Sequence, residues 1–248
     1  MINGLILTLV LGLFIVVGAL IALFAKKSEN FITLAIGIAF GCLLMLMIFD
    51  LTPEVIEIFY SEFKFAKATL IITIFVIIGI LILKLLDLFI PDHDHEEKHE
   101  EKHLHHIGII SSVALILHNI IEGMAIFSVY KTNGVSSYLL GIGVGLHNIP
   151  LGMVISTMFL NYNKDKKKTL LICSLVAIST FIGGLIMFLL NNIINEITLG
   201  ILLSITLGMI IYITFFELFI HIKNEGDKKI SIIGIIIGII LIGISLLV

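Results

Sequence analysis

Charge is scarce in this chain. Charged residues occupy 13% of 248 positions against 59% hydrophobic, with mean hydropathy +1.19, a balance that excludes a soluble domain of this length. Arginine is missing, so all fifteen basic residues are lysine. All but Lys84 stand in loops or at the ends of apolar runs, and with a formal net charge of -3 they form no stripe for nucleic acid. Only two cysteines occur, Cys42 and Cys173, both inside apolar stretches. That leaves no disulfide framework and makes them small packing residues. The ten-residue alternation of an outer-membrane barrel is also absent. The first apolar run has no basic leader and no small-residue cleavage site before Lys26 and Lys27, so it is expected to stay as a membrane helix.

What the chain does have is eight apolar runs, at 3–25, 31–53, 68–90, 107–130, 135–160, 169–190, 197–221 and 230–248. Most are close to the roughly 20 residues that cross a bilayer. The expected fold class is therefore an all-α membrane protein of eight transmembrane helices, one domain over 1–248 with the lipid bilayer around it. Lysine sets the orientation. The loops after spans 1, 3, 5 and 7 hold eleven lysines, the loops after spans 2, 4 and 6 hold Lys64, Lys67 and Lys131, and Lys84 lies within span 3. The positive-inside bias places both termini outside and the Lys164–Lys168 and Lys223–Lys229 loops in the cytoplasm.

The longest polar segment, 91–106, carries six of the nine histidines and six carboxylates. Such a composition cannot bury a core and suits weak, exchangeable contact with divalent metal. On the lysine topology it is a cytoplasmic loop.

Two apolar spans repeat a phrase: His118-Asn-Ile-Ile-Glu122-Gly123-Met124 and His147-Asn-Ile-Pro150-Leu151-Gly152-Met153. Ionisable groups inside a membrane span are costly and mark function. Spans 4 and 5 are joined by the short turn Lys131-Thr-Asn-Gly134, so they should form an antiparallel hairpin with His118 and His147 equidistant from its centre. At 1.5 Å per residue each lies about 18 Å from the helix end, near the middle of a core about 30 Å thick. Glu122 follows His118 by one turn on the same face. His118, Glu122 and His147 can then converge on one point.

Two neutral imidazoles and a carboxylate suit zinc and accept other first-row divalent ions. A bound cation would also offset the cost of Glu122 in hydrocarbon. Asn119 and Asn148 could add a weak oxygen ligand or an outer hydrogen bond. Pro150 removes one helical hydrogen bond and leaves the Leu146 carbonyl without its donor, a break of the kind transporters place beside their sites. Because imidazole and carboxylate must be deprotonated to hold metal, the process should be pH-sensitive. A plainer role is interhelical hydrogen bonding, with Gly123 and Gly152 letting the two spans approach closely. The matched depth of the two histidines favours the ligand reading.

These residues carry a family resemblance over essentially the whole chain. The paired His-Asn-x-x-Glu-Gly and His-Asn-Ile-Pro-x-Gly helices, the eight spans and the His-rich loop resemble the ZIP family of divalent metal transporters, especially its bacterial members. Asp87-Leu-Phe-Ile-Pro91-Asp-His93 looks like the end of the family's third helix, and Gly208 to Glu217 like its seventh. The second helix, with Asp50 before Pro53, also fits. The resemblance implies an inverted repeat of spans 1–3 and 6–8 around the 4–5 hairpin, and uptake of zinc into the cytoplasm across the plasma membrane by alternating access. It makes His118, Glu122 and His147 the transport ligands, with Asn119 and Asn148 at or beside them. Asp50 would receive metal at the outer end of span 2, and Asp87, Glu217, His93 and His95 would pass it out. No cofactor is implied; the metal is the substrate, zinc first, with cadmium, iron and manganese open. A homodimer is the default expectation for a membrane protein of this size.

Two departures set this chain apart. Leu151 stands where many bacterial relatives have a glutamate, and Thr180 where an acidic residue is common. Both losses fall on the side of an adjacent second metal site, so one intramembrane metal is expected. Other classes fit less well. A membrane-embedded metallohydrolase would need a general base and an open coordination position. The chain has no His-Glu-x-x-His helix, and neither Ser156 nor Ser179 has a histidine one turn away. A cation-diffusion exporter also uses His-x-x-x-acid pairs, but typically shows six spans and a soluble carboxyl-terminal domain.

Overall fold

The computed structural model describes residues 1–25, 28–89, 99–163, 165–190, 193–224 and 227–245. Among them there are only helices: α1 (Ile2–Phe24), α2 (Glu29–Leu46), π1 (Met47–Leu51), α3 (Thr52–Glu62), α4 (Phe65–Phe89), α5 (His99–Thr132), α6 (Gly134–Asn163), α7 (Lys166–Leu190), α8 (Glu196–Tyr212), π2 (Ile213–Leu218), α9 (Phe219–Asn224) and α10 (Lys228–Ser245). Segments α2, π1 and α3 run on as one helix, as do α8, π2 and α9, giving eight segments long and apolar enough to cross a membrane.

Short polar side chains start these helices by taking up orphan N–H groups of the first turn. Ser28 Oγ accepts from Phe31 N at 3.2 Å, Asn195 Oδ1 from Thr198 N at 2.8 Å and Asp227 Oδ1 from Lys229 N at 2.7 Å. Asn133 makes the hairpin turn. Its N–H closes α5 on the Val129 carbonyl at 2.8 Å, and its Oδ1 accepts from Ser136 N at 3.3 Å to open α6.

Three sequence expectations need correction. The second span does not stop at Pro53 but continues to Glu62. Proline lacks an N–H and crowds the carbonyl four residues back. Here the wider π turn just before it takes up the misfit, with Thr52 N–H and Oγ1 both donating to the Met47 carbonyl, the latter at 2.6 Å. Asp50 therefore lies inside the span, with about three helical turns beyond it. Pro150 does not break α6, which runs through it as α-helix. The lost bond is one among many in a helix packed against α1 and α5. Finally, the polar 91–106 segment is not all loop: α5 begins at His99, and His106 is buried.

Inside the bundle, α1 packs on α6 and α7, α5 on α6 and α7, α2 on α10 and α4 on α8. Association in lipid rests on close backbone approach at small residues. A Cβ at Gly18 would fall on the Ile149 carbonyl oxygen, and one at Gly183 on that of Ile120. Likewise Gly152 lies against the Ile15 carbonyl and Gly123 against that of Thr180. These four contacts bring α1 and α7 onto the hairpin that carries the repeated phrase.

Candidate metal centre

His118 and Glu122 project from one face of α5 and meet His147 of α6 near the middle of the spans His106–Lys131 and Gly134–Leu160. One ligand atom from each of the three lies within 4.8 Å of the others. Glu122 Oε1 is 2.9 Å from His147 Nε2 and 3.7 Å from His118 Nε2, and the imidazole rings are 6.2 Å apart. His118 is 2% exposed, His147 5% and Glu122 8%. Both ring nitrogens of His118 and Glu122 Oε2 have no hydrogen-bond partner, while Glu122 Oε1 and His147 Nε2 meet in an ion-pair contact. Buried polar atoms without partners are costly, and lone pairs that converge from three side chains offer a divalent cation a compact His2Glu donor set.

Asn119 and Asn148 are fully buried and held alike. Asn119 Nδ2 donates to the Val176 carbonyl at 3.2 Å, and Asn148 Nδ2 to that of Leu11 at 3.2 Å, while both Oδ1 atoms are left unpartnered. Each amide thus pins the hairpin to a neighbouring helix and keeps an oxygen acceptor free. Leu151 and Thr180 are buried, and the Thr180 backbone carbonyl sits against Gly123 beside Glu122. Neither brings a carboxylate to the centre.

A second group forms where α4 ends. Asp87, His106 and Glu217 each place a ligand atom within 4.8 Å of the others. His106 Nε2 is 2.5 Å from Asp87 Oδ1, and Tyr212 donates its hydroxyl to Asp87 Oδ2 at 2.9 Å. Asp87 and Glu217 are thus brought together, whereas His93 and His95 lie outside the described residues. His106 and Tyr212 were missed from sequence. His106 reads as the last of a charged run, and only the early start of α5 turns it inward.

Asp50 is half-buried in π1, and Glu217 lies in the other π-helical segment, π2. Such wide turns cluster at functional positions. Two cavities meet at Asp50. One of about 180 Å³ leads to His147 and the other, of about 220 Å³, to His118 and Glu122.

Eight apolar helices around a buried imidazole and carboxylate centre define the class: a multi-pass membrane protein of the ion-transporter kind. Residues 89–246 match the ZIP zinc transporter family. The chain is also 30% identical over 268 residues to the zinc transporter ZupT of Clostridium perfringens, covering 97% of this chain and 94% of that one. Similarity to the zinc transporters ZupT of Chlorobium chlorochromatii (26%, covering 97% and 95%) and Streptococcus mutans (25%, covering 98% and 96%) is as extensive. This protein belongs to the bacterial ZIP zinc transporter family. It is a transporter and not an enzyme, and in this family zinc is the substrate and no cofactor is carried.

Proposed function

We propose that the protein takes up zinc into the cytoplasm across the plasma membrane, holding one ion at a time on His118, Glu122 and His147. The observation that carries this reading is the convergence of those three buried side chains, with a ligand atom of each within 4.8 Å of the others and both ring nitrogens of His118 without a hydrogen-bond partner. Direction rests on the lysine distribution, which puts both termini outside. On that topology the two cavities at Asp50 open from the outer side of the centre, while Asp87, His106 and Glu217 lie between it and the cytoplasm and receive the departing ion.

Alternating access by an inverted repeat fits the contacts. The Gly18 to Ile149 approach has its counterpart in Gly183 to Ile120, and the Asn148 bond to Leu11 in the Asn119 bond to Val176. Gly79 against the Ile205 carbonyl is matched by Gly238 against that of Ile38. The same correspondence relates Asp50 in π1 to Glu217 in π2, one toward each end of the path. Sites at the interface of such repeats are where transporters hold their ions.

The test is zinc uptake into proteoliposomes of defined orientation. A zinc gradient applied from the side of the termini should drive uptake that saturates. Uptake indifferent to zinc, or driven only from the lysine-rich side, would overturn the reading.

Stoichiometry gives a second expected outcome. Native mass spectrometry of the detergent-solubilised protein should show one tightly held zinc per chain, lost in His118→Ala, because Leu151 and Thr180 add no second carboxylate. Two zinc ions with zinc–zinc scattering in X-ray absorption would contradict it. On the cytoplasmic side, Asp87→Asn should lower kcat by about tenfold with KM little changed, since weakening an auxiliary ligand or its hydrogen bonds typically costs 10–100-fold. Deleting residues 92–98 should leave transport running, which uptake by the shortened chain checks directly.

A further inference from the structure

The two cavities that meet at Asp50 differ in their chemistry. The one leading to His147 has Asp50 as its single carboxylate and is otherwise mostly aliphatic. The one leading to His118 is lined by four carboxylates, Asp50, Glu54, Glu57 and Glu122, and by no lysine. Three of these come from one helix. Since π1 continues into α3 without interruption, Asp50, Glu54 and Glu57 recur at one-turn intervals and share a face. That face leads from the exposed Glu57 inward to His118, which is 2% exposed and has both ring nitrogens buried without a hydrogen-bond partner. Ala125, Ile126 and Leu203 form apolar walls between the acidic groups. Low-dielectric walls around charges of one sign focus the field and raise the local concentration of counter-ions.

The donors change along this path. Outside are carboxylate oxygens alone, which hold hydrated divalent cations loosely and with little preference; at the floor is imidazole, which suits zinc. Neither Glu54 nor Glu57 belongs to the His118, Glu122 and His147 cluster.

We propose that Glu54 and Glu57, with Asp50, form a collecting vestibule for hydrated divalent cations. It delivers them to the transport centre by way of His118, and the aliphatic cavity beside His147 is not the cation's route. This rests on the role proposed above for that centre. The vestibule acts before binding, so it governs capture and not turnover.

Zinc uptake by the E54Q/E57Q variant in proteoliposomes tests it. At low ionic strength KM should rise about tenfold, the lower end of what charge focusing supplies, with kcat within about twofold of the parent. The difference should shrink at about 0.5 M salt, where screening confines such fields to a few ångströms. The charge-preserving E54D/E57D variant should keep the parental KM. An unchanged KM and salt dependence in E54Q/E57Q would overturn the proposal. So would a fall in kcat with KM unmoved, or a raised KM in E54D/E57D, since each assigns these residues a structural role. Failure of the underlying reading is seen separately, as a parent protein without saturable zinc uptake or as a His118→Ala variant that transports like the parent.

Discussion

Zinc uptake should fall by about a hundredfold or more when either His118 or His147 is replaced by alanine, with the two losses similar in size. Removing an outer partner of a metal ligand already costs 10–100-fold, and each histidine is one of the three donors in the proposed site. Alanine also leaves Glu122 in a poorer position. Its Oε1 lies 2.9 Å from His147 Nε2 and 3.7 Å from His118 Nε2, so either loss strips a buried carboxylate of a neighbour that accounts for its presence in an apolar span. Uptake in proteoliposomes, with protein content and monodispersity matched to the parent, measures the effect. Parental rates in both variants would remove the centre from the transport path.

Gly152→Val and Gly123→Val should prevent accumulation of folded protein. A Cβ at Gly152 falls on the Ile15 carbonyl oxygen, and one at Gly123 on that of Thr180. Backbone atoms cannot swing aside as a side chain would. Overpacking a close-packed interior costs about 1–3 kcal/mol even where neighbours can yield, and here the two helices must separate along their length. Separation would also strain the amide bonds from Asn148 to Leu11 and from Asn119 to Val176. Fluorescence-detected size exclusion of tagged protein should show a peak reduced several-fold for both variants. Gly243→Val is the control, because nothing lies within 4 Å of a Cβ there.

How much of this was legible from sequence depended on whether the signal was local. All eight spans could be read, because length and apolarity in a bilayer leave no other option. The hairpin turn and the meeting of His118, Glu122 and His147 were legible too, since both follow from helix rise and a short connection. The two π-helical segments were not. A wide turn has no composition of its own, and the one clue in span 2, Pro53, pointed to a helix end and not to the adjustment that carries the helix past it. His106 was hidden for a different reason. It stands in a run of histidines and acids that reads as solvated, and its burial against Asp87 depends on where α4 ends, a tertiary fact. Glu54 and Glu57 could have been found by spacing, had the second span been carried beyond Pro53.

The glycine contacts described for α1, α5, α6 and α7 have a mechanical meaning as well. Interfaces made of long side chains are compliant, because rotamers can adjust as one helix slides on another. Where a carbonyl oxygen rests directly on a glycine Cα there is no such cushion, and small sliding meets hard repulsion at once. The four helices that carry or flank His118, Glu122 and His147 therefore form a stiff unit. Thermal motion will show itself mainly at its borders with the α2 and α10 pair and the α4 and α8 pair, so the distances among His118, Glu122 and His147 stay steadier than the surroundings that reach them.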